Sequence, residues 1–283
     1  MSQPLKTRIL ITGGNGNIAT ILKRSPLAEE YTIFAPGRSE LNLLNGDDVK
    51  AHLEGNSYDV LIHTAVSGGR RTKAETGDVT HANLVMTENL LRFADKFKMI
   101  INLDSAATYD RKTDILNRKE DEVWSVPSDF YGFSKYVIFQ RTLAFAHAFN
   151  LRIFNIFHAH EEVDRFIKRC FICAKNNDTL VINEDKYFDF VFSEDFVKVV
   201  RHYLQHIDQQ NSLYKTVNVC YTQKMRLSDV ARLIINDARL IRVEKNADNN
   251  YSGDGRLLLT YNLDLAGLES SLNEFSLVFK KNP

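Results

Sequence analysis

The stretch RILITGGNGNIATIL, Arg8–Leu22, decides the fold. RILIT is short, branched and apolar, as a buried strand is; the paired glycines mark a tight turn, and a helical pattern opens at Asn17. Gly14, Gly16 and Ala19 stand at the G-x-G-x-x-A spacing of a dinucleotide-binding turn, and Gly13 offers a second frame, G-x-x-G-x-x-A. Glycine lets the backbone turn sharply and approach a pyrophosphate, while free N–H groups at the helix start attract its charge. Ala19 keeps the helix close to the strand. A plain strand–helix turn would look alike, but this one follows the first strand of an alternating chain. Gly13, Gly14, Asn15, Gly16, Asn17 and Ile18 are the expected cradle of a nucleotide cofactor.

Outward from this turn, strands and helices alternate. YTIFA (31–35), VLIHTAV (60–66), MIINLDS (99–105) and LRIFNIF (151–157) read as further strands, with helices over Asn17–Lys23, Asp47–Leu53, Asn83–Phe97 and Tyr131–Phe149. The strands carry few charges, as expected when helices cover both faces. This predicts an α/β fold, a doubly wound parallel (Rossmann) sheet with a smaller interleaved C-terminal substrate lobe. The cofactor-binding part is expected over 1–157 plus about 189–220, and the lobe over about 158–188 and 221–283. In the lobe GDGRLLLTYNLDLAGL (253–268) contains a strand-like run. Two long polar segments, 67–82 and 110–129, follow strand ends and read as walls or lids of a site.

Composition removes several alternatives. The 283 residues are 44% hydrophobic and 25% charged, enough for one large domain or two lobes. Thirty-six basic residues balance thirty-six acidic ones, so no overall field recruits nucleic acid or an anionic membrane. MSQPLKTRILITGG lacks a signal-peptide pattern and no apolar run reaches transmembrane length, so a cytoplasmic location is expected. Cys170 and Cys173 form a CxxC inside an amphipathic helical pattern and read as packing. HAHEE (158–162) reads as a loop, and no metal is expected.

The second strand runs into FAPGRSE, Phe34–Glu40. NAD sites often place a carboxylate at this edge; this chain has Arg38, which suits a 2′-phosphate and stacks on adenine. NADP(H) is therefore favoured over NAD(H), against the plainer reading of a solvated loop arginine.

In DFYGFSKYVIF, Asp129–Phe139, Tyr131 and Lys135 share one helix face. Alone, that spacing describes a core tyrosine and a surface lysine. Ser105 ends a strand earlier in the chain, and a lysine ammonium favours phenolate and brings a tyrosine toward acid–base chemistry. With the TGGNG turn, VLIHTAV, HANLVMTENLL, LRIFNIF and FDFVFSEDF, the chain resembles the extended short-chain dehydrogenase/reductases, the nucleotide-sugar epimerase, dehydratase and reductase group. The resemblance covers most of the chain. It implies Tyr131 as general acid or base at a sugar oxygen, Lys135 on the nicotinamide ribose, and Ser105 bonding the same oxygen, with Gly132 and Ser134 leaving room for the cofactor. It also implies cofactor contacts at Asn42, Leu43, Thr64, Ala65 and Val66, at Asn83 where the next helix starts, and at Asn155 and Ile156. Ser105, Ala106, Ala107, Asn155 and Arg256 are the implied substrate contacts, Arg256 at the diphosphate. Arg70, Arg71, Arg165, Lys168 and Arg169 are further cations for that diphosphate, each more readily explained as solvated surface charge.

Departures from the family patterns narrow the reaction. Dehydratases of this group carry an acidic pair after the serine, where this chain has Ala106 and Ala107. SELNLLNGDDV is similar to the GDP-fucose synthases, whose epimerisation uses a cysteine and a histidine; Ala107 and Arg165 stand near those places. FDF also lacks the arginine of the usual Arg-Asp-Phe. What the resemblance then implies is NADPH-dependent reduction of a nucleotide-activated 4-keto-deoxy sugar. A C4 epimerase with bound NAD and a non-catalytic NADP-binding regulator are the alternatives, and a homodimer through helices 83–97 and 131–149 is the expected assembly.

Overall fold

In a computed structural model of the chain, which describes residues 6–69 and 74–281, six strands form one parallel sheet. They are β1 (Arg8–Thr12), β2 (Thr32–Phe34), β3 (Val60–His63), β4 (Met99–Ser105), β5 (Ala148–Ile153) and β6 (Thr216–Val219), in the order β6-β5-β4-β3-β1-β2. The chain leaves β1 for β2 on one side and returns to pair β3 on the other edge of β1. That reversal opens a crevice beyond the C-terminal ends of β1 and β3, where open α/β sheets take their ligands. Ile9, Leu10 and Ile11 are fully buried, and each such side chain contributes roughly 1.5–3 kcal/mol.

The helices α1 (Asn17–Arg24), α2 (Gly46–Gly55), α3 (Gly77–Leu91) and α4 (Phe130–Thr142) connect these strands. Ala19 and Leu22 are the buried positions of α1. Asn45 caps α2 by accepting from the Asp47 and Asp48 N–H groups.

Two expected helices change their bounds. Asn83 does not start a helix; it lies inside α3 and is buried, because the polar run Gly77–Ala82 is the solvated first turn of the same helix. α4 ends at Thr142 rather than Phe149. There Lys215 Nζ donates to the carbonyls of Phe145 at 2.9 Å, Ala146, and Ala148 at 2.8 Å, and β5 begins at Ala148. LAFAHAF is apolar at most positions, so its pattern does not separate a helix end from a strand start.

Residues 111–122, 153–199 and 218–283 form a second compact unit. It takes in 111–122, 153–157 and 189–199, which the sequence reading puts with the cofactor-binding part. Strand pairing within the unit accounts for this: Ile156–Phe157 pairs with Val191–Phe192, and Ile115–Arg118 with Tyr251–Gly253. Its core is aromatic, with Phe275 packed on Phe157 at 5.8 Å and on Phe171 at 5.1 Å between ring centroids. Cys170 and Cys173 are buried against Leu180 and Ile182. RLLL, Arg256–Leu259, is a short helix and not a strand; the adjacent strand is Tyr251–Gly253, and Gly255 starts the helix turn. Among the described residues no helix is long and apolar enough to cross a membrane.

Candidate active site

The glycine turn sits at the switch point of the sheet, and the protein's own backbone already demands its glycines. Gly13 has φ +69°, and a Cβ there would lie 2.9 Å from Ala65 Cα. A Cβ on Gly14 would overlap the Ala35 carbonyl oxygen, and its N–H donates to Pro36 O at 3.0 Å. Gly16 N–H donates to Gly13 O at 2.8 Å and closes the turn. No side chain caps α1, so its first amides face outward beside exposed Asn15, Gly16 and Asn17, with Ile18 half-buried behind them. An uncapped helix start on a turn too tight for a side chain fits the pyrophosphate of a dinucleotide.

β1 and β3 are stapled across the switch point. The Thr64 hydroxyl donates to Thr12 O at 2.6 Å, and the Thr12 hydroxyl accepts from the Thr64 and Ala65 N–H groups at 3.2 and 3.3 Å. Val66 follows with 45% of its surface exposed, large for an apolar residue at a sheet edge. Arg38 is exposed on the loop after β2, where Glu40 holds the Gly37 N–H at 2.7 Å. Asn42 and Leu43 are fixed by bonds to the Leu44 N–H and from Asn89 Nδ2.

Asn83 is the joint of the site. Its side chain accepts from Ser67 N–H at 2.7 Å, donates to Ser67 O at 3.0 Å, and donates to Ser134 Oγ at 2.9 Å. The Ser134 hydroxyl donates to Tyr131 O at 2.7 Å. The loop after β3 is thereby tied to α4, and Gly69 lies against the phenol: a Cβ there would sit 3.0 Å from Tyr131 Cζ. Glu75 bridges the same parts, accepting from Gly69 N–H at 2.7 Å and Tyr131 N–H at 3.3 Å. Gly132 and Ser134 of YGFSK are closely packed within the protein. A Cβ on Gly132 would meet Asp129 Oδ2 at 2.8 Å and Ala107 O at 3.0 Å.

Lys135 is buried, its Nζ 6.0 Å from the centre of the Tyr131 ring and donating to Leu103 O at 2.7 Å. Burial lowers its pKa to about 8, against the opposing pull of Asp104. His63, bonded to the hydroxyls of Thr12 and Thr87, is pushed to about 3 by burial and by Lys135, so it is a neutral neighbour. Ser105 ends β4 one residue after Asp104, its Oγ accepting from Ala107 N–H at 3.2 Å. Ala106 and Ala107 behind it are fully buried.

Asn155, Ile156 and Arg256 belong to the second unit. Asn155 Oδ1 accepts from Arg165 Nη2 at 2.9 Å, Ile156 is buried in its short strand, and Arg256 makes a two-pronged pair with Asp254. Lys168 donates to the Ala159 and Glu161 carbonyls, and Arg169 is exposed. Arg70 and Arg71 lie outside the described residues. Sequence reasoning misses Glu75, Asp104, Arg152 and Lys224, all engaged with the parts above or with FDF. Lys224 Nζ donates to Asp189 Oδ2 of FDF at 2.7 Å. No local motif announces these residues, because each acts on a partner distant in sequence.

A family model described as the NAD dependent epimerase/dehydratase family matches residues 9–220. The chain belongs to that family. Membership makes it an extended short-chain dehydrogenase/reductase, an oxidoreductase of the kind that depends on a nicotinamide dinucleotide. A search of curated proteins finds no match. Among solved structures it is similar to the Bordetella bronchiseptica enzyme WbmG in complex with NAD, with TM-score 0.83, 16% identity and coverage of 100% of this chain and 96% of that one. It is also similar to dTDP-4-dehydrorhamnose reductase from Bacillus anthracis in complex with NADP (TM-score 0.80, 19% identity, 98% and 99% coverage). A GDP-L-fucose synthetase from Naegleria fowleri aligns with TM-score 0.78 at 16% identity, over 100% and 96%. At these identities the likeness is one of fold.

Proposed function

We propose that this chain reduces the C4 carbonyl of a nucleotide-activated 4-keto-deoxy sugar, using NADPH. The observation that carries the reading is Tyr131 and Lys135 side by side on α4, with Ser105 at the β4 end followed by two buried alanines. The chemistry that a reduced nicotinamide would supply when bound is a hydride for the carbonyl carbon. The Tyr131 hydroxyl gives its proton to the carbonyl oxygen, and the Lys135 ammonium favours the tyrosinate that remains. Ser105 bonds the same oxygen and draws charge onto it. Ala106 and Ala107 have no proton to give or take, which leaves those positions without an acid–base group for eliminating water.

Several features support the finer points. The exposed Arg38 suits a 2′-phosphate, and the reductase neighbour is described with NADP. The second unit is the proposed substrate lobe, with Arg256 offered to the diphosphate and Asn155 and Ile156 to the nicotinamide side. α3 and α4 pack on each other through Thr80 and the Glu88–Arg141 pair, the arrangement a dimer through these helices would extend.

The test is consumption of NADPH with a panel of GDP-, CDP-, UDP- and dTDP-linked 4-keto sugars, matched to a reduced product. Tyr131→Phe should lower turnover by at least about a hundredfold while leaving NADPH affinity unchanged. Tight NADPH binding with no oxidation on any sugar would mean a non-catalytic binder. Interconversion of C4 epimers without net oxidation would assign the epimerase instead.

A further inference from the structure

The strand end that carries Ser105 is anchored by a buried ion pair which the proposed chemistry does not use. Arg152 on β5 has no exposed side-chain surface, and neither does Asp104. Arg152 Nε donates to Asp104 Oδ2 at 2.6 Å and Nη1 to the Tyr109 hydroxyl at 2.6 Å. The guanidinium lies 4.4 Å from the Tyr109 ring centre and 4.6 Å from that of Phe139 on α4. Thr108 donates its hydroxyl to Asp104 Oδ1 at 2.8 Å. Burying two ions is costly, and apolar side chains of similar volume often fill such space equally well. A buried pair beside the proposed reaction centre suits a role other than stability.

That role is found one residue to either side of Asp104. The preceding carbonyl, Leu103 O, holds Lys135 Nζ, and the following residue is Ser105. The groups that bear on Lys135 come from every neighbouring element. β4 supplies the Asp104 carboxylate, which favours the ammonium. β3 supplies His63, held neutral by burial. α3 supplies Asn83, at Ser134, and Thr87, at His63, both uncharged. α4 itself supplies Tyr131, and β5 supplies Arg152, whose charge is engaged by Asp104.

We propose that Asp104 and Arg152 are positioning residues for the Tyr131–Lys135 chemistry: the pair fixes the strand end between the Leu103 carbonyl and Ser105, and Asp104 is the counter-charge that keeps Lys135 an ammonium. This rests on the reading of Tyr131 and Lys135 given above. Arg152 and Tyr109 orient the carboxylate, and Phe139 ties its position to the helix that carries Lys135.

The experiment is a titration of Lys135 by NMR in the full chain labelled with 13C-lysine, its resonance assigned by loss in Lys135→Met, together with the pH profile of kcat. Asp104→Asn removes the charge and keeps the size. Asp104→Asn/Arg152→Gln removes both charges, which avoids leaving a buried guanidinium unpaired should the single variant fail to fold. Lys135 should titrate near about 8 in the unsubstituted chain. Loss of the Asp104 charge should lower that value by about one pH unit, in Asp104→Asn against the unsubstituted chain and in the double variant against Arg152→Gln. The alkaline fall of kcat should move down with it. A Lys135 titration that is the same in Arg152→Gln and in the folded double variant overturns the proposal, and so does a moved titration with an unmoved pH profile. A moved titration in a chain without turnover on any 4-keto sugar supports the counter-charge and overturns the Tyr131–Lys135 reading alone.

Discussion

Glycines that look equivalent in the TGGNG turn do different things, and the difference is measurable. Gly14 is pressed on the backbone of Ala35 and Pro36, where a Cβ has no place to go. Gly16 meets only Gly13 O, at 3.1 Å from a built Cβ, and lies on the exposed side of the turn. Gly14→Ala should therefore destabilise the chain by about 3 kcal/mol or more, read from urea unfolding. Gly16→Ala should cost under about 1 kcal/mol yet weaken NADPH binding in a fluorescence titration, because its methyl group would lie on the exposed side of the turn, where we propose that the pyrophosphate binds. Equal stability losses would undo this division. The motif was legible because its spacing is local. Which glycine serves the fold and which the ligand depends on β2 and β3 folding back onto the turn, and no spacing records that. Asp104 and Arg152 were illegible for the same reason: they lie 48 residues apart in sequence.

Helix bounds follow from caps as much as from apolar periodicity, and α4 shows the consequence for chemistry. Its N-cap is Asp129, two residues before the candidate proton donor, and its side chain accepts from Gly132 N–H at 2.8 Å. Gly132 leaves space for that carboxylate. Asp129→Ala should cost about 1 kcal/mol in urea unfolding, and Asp129→Asn clearly less, because asparagine caps nearly as well. Because the cap sets where α4 begins, Asp129→Ala should also lower kcat more than it alters NADPH affinity, and an unchanged kcat would separate the cap from the chemistry. The start of α4 was readable from its apolar run, expected from Tyr131 and observed from Phe130. Its end was not: the carbonyls just beyond it are held by Lys215, far along the chain. The start of α3 was hidden by its polar first turn.

In each compact unit, every group whose pKa changes on folding adds its own slope to stability with pH. The alternating half of the chain announced its sheet, whereas the second unit draws on three separated segments whose pairing has no local signature, so its buried titrating groups went unread. In the first unit, His63 is buried and neutral with a folded value of about 3. An unfolded histidine titrates near about 6.5. Below that value the unfolded chain takes up a proton that the folded chain refuses, so stability is complete above about pH 6.5 and falls toward acid. By pH 5 the loss from His63 is about 2 kcal/mol. In the second unit, burial also lowers His158, to about 4, which acts in the same direction. Glu161 opposes them: burial raises its carboxyl to about 7, so its contribution is complete below the unfolded value and is lost as pH rises through about 7. Two variants separate these slopes in urea unfolding at pH 7 and pH 5. His63→Gln keeps partners for Thr12 and Thr87 and should shrink the acid-side loss by about 2 kcal/mol. Glu161→Gln removes the opposing proton uptake and should enlarge that loss. If both variants keep the slope of the unsubstituted chain, burial of these groups does not set its acid sensitivity.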